Sequence, residues 1–471
     1  MVKGDGGAAT WADRARSIMP AERRIHFTSP MADLAEHESQ FRHMREVARG
    51  IFLTAIQKAS IASAFSRRVH CDRSILRICD DLYDLTSYRR LFVVSLGKAA
   101  HTMVRALSRE VGDRLEGIVA SPVEEANQVR GFRYFRGGHP TPNAESISAA
   151  EAILKRLGSL DANSLVIFML SGGGSAIVEK PIDREITLED LIATYKSLVL
   201  SGAPIAAINA IRKHLSAVKG GRLAQAAHPA QQVSILVSDV PEATPDALAS
   251  GPTMADSTSI GDCERIATQH GLVEQFPEAV ARLFREHALL ETPKRGDPAF
   301  ARARWWTVLS NQVAMDEAAA AAKDADFAVE VDNSCDDWDY EKAADYLLDR
   351  LRRLRGPTSP VCLLSGGEVT VRVRNGGVGG RNQQFALACA ERISGEDITV
   401  LSAGTDGIDG NSPAAGAVVD GSTLQRAGGA KSVRDAADGF DAYPLLDRMG
   451  DAVVTGPTGN NVRDLRILLA Y

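Results

Sequence analysis

The chain has 471 residues, more than one hydrophobic core usually organises, so two domains are expected. Its 45% hydrophobic and 24% charged residues are ordinary for a soluble globular protein, and a net charge of -6 argues against a protein that coats nucleic acid through a basic face. No apolar run approaches the ~20 residues needed to span a bilayer. Residues 1–40 read as a polar, poorly specified extension without the apolar core of a secretory signal. Their Arg and Ala content faintly resembles a transit peptide, and Met31 is an equally good start. FRHMREVARGIFLTAIQKAS (41–60) has helical spacing, with Ile51, Ala55 and Ile56 on one face. Strands and helices then alternate. LFVVSLG (91–97), GIVAS (117–121), LVIFML (165–170) and QQVSILVSDV (231–240) read as strands, with helices after 98, over 145–160 and twice between 188 and 228. Continuous apolar strands separated by helices predict a parallel sheet covered on both faces, here a Rossmann-like doubly wound domain over 41–285.

Between 254 and 300 the chain turns polar and irregular, and the domain boundary is placed there. The second half alternates again. WWTVLS, FAVEVD and ITVLSAG read as strands. NQVAMDEAAAAAKDA, YEKAADYLLDRLRRL and RNQQFALACAERI read as helices, and VCLLSGGEVTVRV as two strands around a turn. This predicts a smaller α/β domain over 300–471. The six cysteines (Cys71, Cys79, Cys263, Cys335, Cys362 and Cys389) are scattered without metal-ligand spacing, which fits a reducing, cytoplasmic compartment.

In open α/β sheets ligands bind beyond the carboxyl ends of strands. The unusual residues of this chain fall at such ends: SLGKAA, LSGGGSA, SDVPE, LSGGE and SAGTDGIDG. Five polar loops in two domains point to one cleft between the domains. Ser171, Gly172, Gly173, Gly174 and Ser175 form the best phosphate cradle, because successive glycine amides before a helix point at phosphate oxygens. SLGKAA is neither a Walker A loop nor the GxGxxG of a dinucleotide site, yet Lys98 follows a buried strand and a glycine and is expected to face the cleft. His139 sits in GGHPTPN, equally readable as a rigid loop or a substrate contact. Arg212, Lys213, His214, Lys219 and Arg222 form a charge run that reads as a solvated face, with the alternative that the Gly-Gly break after Lys219 turns that lysine inward. Asp239, Glu368, Asp406 and Asp409 end strands or occupy the loops after them. Such carboxylates suit Mg²⁺ carried with a nucleotide, since Mg²⁺ takes one or two carboxylates plus waters and phosphates. An Asp-Gly turn is the rival reading for Asp409. In LSGGEVTVRVRNGGVGGRNQQFALA (364–388), Glu368 and Arg381 flank the glycines. The expectation is that bare backbone approaches an anion there and that the guanidinium clamps a carboxylate or phosphate. An ion pair bracing a hairpin is the alternative.

Taken together, SLGKAA, GGHPTPN, LSGGGSA, RKHLSAVKGGRLA, SDVPE, ASGPT, LSGGEVTV, GGRNQQFALA, SAGTDGIDGNSPAAGAVVD and TGPTGNNVRDL resemble, in order from about residue 45 to the C-terminus, the glycerate 2-kinases of the MOFRL type. That resemblance implies a Rossmann-like N-terminal domain, a C-terminal MOFRL domain and ATP- and Mg²⁺-dependent phosphorylation of the 2-hydroxyl of D-glycerate. It implies Lys98 and Arg381 as the family's catalytic pair. On this reading Lys98, His139, Lys219 and Arg381 contact substrate, and the 171–175 loop with Glu368 and Asp406 serves the nucleotide. Asp239 orients or deprotonates the hydroxyl, and Asp239 or Asp406 holds the metal. Expected partners are small molecules only, with no nucleic acid and no membrane, for a monomer or homodimer. Two rivals remain open: an NAD(P)H-dependent hydroxypyruvate reductase, which lacks a GxGxxG here, and a non-catalytic sensor of a sugar acid or nucleotide.

Overall fold

The computed structural model describes residues 30–356, 360–374 and 376–471. A targeting role for residues 1–29 lies outside the described residues. The chain forms two compact units, Ser60–Ser310 and Asn311–Tyr471, the second including the segment up to Ala59.

In the Ser60–Ser310 unit a short helix, Ile61–Arg68, leads into a small antiparallel meander, β1 (Val69–Asp72), β2 (Ile75–Ile78) and β3 (Asp81–Asp84), which the alternation in the sequence did not reveal. Six strands follow: β4 (Arg90–Leu96), β5 (Glu116–Ser121), β6 (Phe132–Arg136), β7 (Ser164–Ser171), β8 (Gln231–Val237) and β9 (Ala303–Leu309). They lie in the order β6-β5-β4-β7-β8-β9, every pair parallel. All eight residues of β7 are buried, as a strand covered on both faces requires. Phe92, Val94, Ile118, Val166, Phe168 and Leu170 meet Ile153 and Leu157 of the helix Ala144–Leu157 in one core. That helix starts where Asn143 and Ser146 form a reciprocal capping box. The strand order reverses between β4 and β7, and Leu96 pairs with Leu170, so both strands end level at the point where such sheets bind ligands.

The second unit carries β10 (Ala328–Val331), β11 (Val361–Gly367), β12 (Ile398–Gly404), β13 (Gly416–Asp420), β14 (Ala452–Val453) and β15 (Asp464–Ala470) in the order β10-β11-β15-β12-β13-β14. Only β10 and β11 are parallel; β15 runs antiparallel to both β11 and β12. Asp464 therefore pairs with Gly367 on one side and Gly404 on the other. The carboxyl ends of β11 and β12 and the start of β15 share one edge.

Three sequence expectations change. VCLLSGGEVTVRV does not form a hairpin: β11 already has β10 and β15 as neighbours, so a returning strand has no free edge, and Thr370 makes only an isolated bridge with Asp339. The strand at WWTVLS, assigned by sequence to the 300–471 domain, adds to the parallel sheet as β9, beside β8. The first long helix runs from Pro30 to Lys58, so it includes the last part of the 1–40 extension, and it belongs to the second unit. Its Arg45 ion-pairs with Asp420, and its Phe41, Ile51, Phe52 and Ala55 are buried. The spatial division thus falls at Ser60 and Asn311, beside a sequence expectation of 41–285 and 300–471.

Candidate active site

Four loops meet at the carboxyl edge of the parallel sheet. After β4 the chain turns at Gly97 with φ +115°, where an ideal Cβ would lie 2.3 Å from Ser171 Oγ. Only glycine permits that approach. The two central loops are then laced together: Lys98 N–H donates to Gly172 O (2.9 Å), Ala99 N–H to Ser171 Oγ (3.0 Å), and Ser171 Oγ to Leu96 O (3.3 Å). Gly172 is a seat for the loop after β8, since its ideal Cβ would fall 1.9 Å from Asp239 Oδ2. Gly173, at φ +80°, brings in the loop after β6: its Cβ would lie 2.9 Å from His139 Cδ2 and 3.3 Å from Lys98 Cγ. Lys98, His139, Ser171, Gly172, Gly173, Gly174 and Asp239 are thus one cluster. Lys98 is exposed.

Desolvation by these loops, with the charge of Lys98, holds His139 below the usual imidazole range. It is therefore neutral at pH 7 and serves as a hydrogen-bonding group. Gly174, Ser175, Ala176 and Ile177 form a short helical turn after the glycines, and Ser175 Oγ hydrogen-bonds Ser250 Oγ at 2.8 Å. Ala249, Ser250 and Gly251 of ASGPT all have left-handed backbones (φ +51°, +61° and +59°), an unusual run for non-glycine residues. The structure holds Lys219 differently. It is 1% exposed and ion-pairs with the buried Glu179, which also accepts from Tyr195 OH (2.5 Å) and Ser216 Oγ (2.5 Å). Burial pushes Lys219 down to about 8, against the charge of Glu179. Its ammonium is committed to the core.

The second unit gathers a second cluster at the shared edge of β11, β12 and β15. Arg381, the first residue of the helix Arg381–Arg392, donates through Nε to Asp464 Oδ2 (2.6 Å) and through Nη2 to Asp464 Oδ1 (3.0 Å). Nη2 also contacts Glu368 Oε1 at 2.8 Å. Burial alone would lower the Arg381 pKa; the hydrogen bonds and charge of Asp464, with Glu368 and Asp409, outweigh it and raise it. Asp409 caps the same helix, accepting from Asn382 N–H (3.1 Å) and Gln383 N–H (2.9 Å). Burial pushes its carboxyl up to about 7 despite those donors. Asp406 accepts from Ile408 N–H at 3.1 Å. A cavity of about 560 Å³ opens beside Arg381, Asp406, Asp409 and the glycines 376–380, with Val371, Ile408 and Phe440 on its walls.

Three of the glycines of 364–388 make room for side chains of their own unit. The amides of Gly366, Gly367 and Glu368 donate to Asn333 (2.7 Å), Asn311 (3.2 Å) and Asp336 (3.0 Å). Cβ atoms at Gly366, Gly367 and Gly380 would fall 1.9, 2.7 and 2.3 Å from Asn311, Asp336 and Asp409 oxygens. The bare backbone admits polar side chains of the same unit. Asp464, Asp336 and Arg463, which carry this framework, were not singled out in the sequence. The one signal for Asp464 is its place at the end of TGPTGNNVRDL, an acid opening the apolar run LRILLA.

Among the described residues no group of three or more His, Cys, Asp or Glu side chains is arranged to hold a metal ion, and no helix is long and apolar enough to cross a membrane. Residues 47–285 match the profile of a domain of unknown function, DUF4147, and residues 361–464 that of the MOFRL family. The chain is 35% identical over 387 residues to the D-glycerate 2-kinase of Thermotoga maritima, covering 80% of this chain and 90% of that protein. It is 36% identical over 389 residues to an Agrobacterium vitis protein that bears the name of a hydroxypyruvate reductase, covering 81% and 87%. The crystal structure of the Thermotoga maritima glycerate kinase aligns with a TM-score of 0.79 at 31% identity, over 91% of this chain and 100% of that one.

Proposed function

Because the chain belongs to the MOFRL-type glycerate kinase family, we infer that it is an ATP-dependent glycerate kinase, and we propose the 2-hydroxyl of D-glycerate as its acceptor, giving 2-phospho-D-glycerate and ADP. The observation that carries the reading is the convergence of Lys98, His139, the Ser171–Gly174 loop and Asp239 where the parallel sheet reverses its strand order. Phosphoryl transfer asks little covalent work of a protein; it asks for positioning and for cations where charge gathers. Lys98 supplies a flexible ammonium for the transferring phosphoryl group. The amides that open the turn after Gly173 lack intrahelical partners and are offered to phosphate oxygens. Asp239 takes the proton of the acceptor hydroxyl as its oxygen bonds to the γ-phosphorus, while the bond from that phosphorus to the bridging oxygen breaks and ADP leaves.

Arg381 is the proposed ligand for the glycerate carboxylate, as a guanidinium that stays charged at every working pH. Mg²⁺ enters with ATP as part of the nucleotide substrate, and Asp239 or Asp406 is the carboxylate proposed for its water shell. His139, neutral beside Lys98, is proposed to hydrogen-bond substrate without adding charge. All six cysteines are free thiols, which suits a reducing cytoplasm. Against the reductase reading, the loop after β4 reads SLGKAA and lacks the GxGxxG of a dinucleotide site.

The test is phosphate transfer from MgATP to D-glycerate, read by coupling to enolase alone, which consumes only the 2-phospho isomer. A signal without mutase is the expected result. A signal only after mutase is added assigns the 3-hydroxyl and overturns the proposed regiochemistry.

A further inference from the structure

Two carboxylates share the Arg381 guanidinium, and their settings differ. Glu368 and the Arg381 side chain are each 34% exposed, while Asp464 is 1% exposed. Asp464 grips the Nε and Nη2 edge with two hydrogen bonds, whereas Glu368 takes one contact at Nη2. Asp464 is also fixed along the backbone. It starts β15 between Gly367 of β11 and Gly404 of β12, and its carbonyl accepts from Asn311 Nδ2 at 3.0 Å. Arg381 is held at its other end by Asp409, which caps the two residues after it, through a contact so close that Gly380 admits no side chain.

We propose that Asp464 is a positioning residue for the reaction: it locks the Nε–Nη2 edge of Arg381 and so fixes the direction in which the Nη1 edge meets an anionic ligand. The inference rests on the reading of Arg381 as an active-site group. An arginine side chain is flexible, and a surface ion pair holds it weakly. A bidentate grip by a buried carboxylate orders it before the ligand arrives, which is the form of preorganisation that raises turnover. Asp464 does this at a distance of 83 residues along the chain, from the middle of the sheet to the start of a helix.

The test is a double-mutant cycle on the full chain, with MgATP and D-glycerate and the enolase readout. Asp464→Asn keeps the shape and removes the charge. The expected result is a loss of tenfold or more in kcat/KM, distributed between kcat and KM in the same proportion as in Arg381→Ala. In the Arg381→Ala background Asp464→Asn then adds no more than a twofold loss, because the group it positions is gone. A fully additive loss in that background overturns the inference and leaves Asp464 a merely structural residue, as does unchanged kcat/KM in folded Asp464→Asn. If Arg381→Ala itself retains full activity, the reading of Arg381 fails first, and the positioning role falls with it. Should Asp464→Asn not fold, Asp464→Glu serves in the same cycle; it keeps the charge and shifts the carboxylate by one methylene, and the same two outcomes decide.

Discussion

Gly172→Ala isolates the placement of Asp239 from its chemistry. Gly172 does not have a positive φ, so alanine meets no left-handed backbone strain there, and the three atoms nearest its Cβ belong to the Asp239 carboxylate: 1.9 Å to Oδ2, 2.7 Å to Cγ and 3.2 Å to Oδ1. Ordinary contact begins near 3.4 Å, so the carboxylate must withdraw by about 1.5 Å. Asp239 ends a rotatable side chain on a partly exposed loop, so the fold absorbs the shift at a cost of ~1 kcal/mol, the low end for an added methyl group. Catalysis should not absorb it. A misplacement of ~1 Å in a reacting group costs on the order of 10²-fold, about 2.7 kcal/mol in the barrier. The expected variant therefore melts close to the parent and loses on the order of 10² in kcat. Steady-state kinetics with the enolase readout, beside urea denaturation of both proteins, measure the two halves. A folded Gly172→Ala that keeps kcat within threefold would refute the assignment of Asp239 to the acceptor hydroxyl.

Lys98→Ala should lower kcat/KM by roughly 10²–10³ with little change in the urea midpoint, because an exposed cation aimed at developing charge supports the transition state more than the fold; equal loss of stability would mean a structural lysine. Lys219→Ala should do the reverse. It leaves Glu179 buried without its partner and should destabilise the unit by ~3–5 kcal/mol in urea, whereas replacing both by apolar residues should come close to neutral. For Asp409 the sign follows from proton counting. Its carboxyl binds a proton up to about pH 7 when folded but only below about 3.8 when unfolded, so between those values the folded state holds more protons. Its contribution to stability is greatest in acid and falls as pH rises to 7. The stability of the parent relative to Asp409→Asn should accordingly fall from pH 4 to pH 7 in urea titrations, and a constant difference would contradict the buried, proton-retaining carboxyl.

What could be read in the sequence was what depends on neighbours along the chain. The runs LFVVSL, LVIFML and QVSILV are mostly apolar and buried at every position because both faces of the sheet are covered, and that pattern identified parallel strands; their order in the sheet came from the structure. Each such run ends in a loop whose glycine or charge stands out, so Lys98, the 171–174 loop and Asp239 were singled out without knowing what they touch, and the structure brings them together. What stayed hidden depends on pairing between distant segments. Arg381 and Asp464 stand 83 residues apart, and nothing local to either one names the other; the register of β15 between β11 and β12 brings them together. The hydrogen-bonding alternative for the 366–368 amides was equally invisible, because Asn311, Asn333 and Asp336 reach them from other elements. Lys219 shows the limit from the other side. Its Gly-Gly break did turn it inward, but only the packing of Glu179, Tyr195 and Ser216 decided that the core, rather than a ligand, would receive its charge. Local periodicity fixes which elements form, since it depends on residues that are already close. Which side chains share a charge is settled by packing, since a one-residue change of register would give every buried group a different partner.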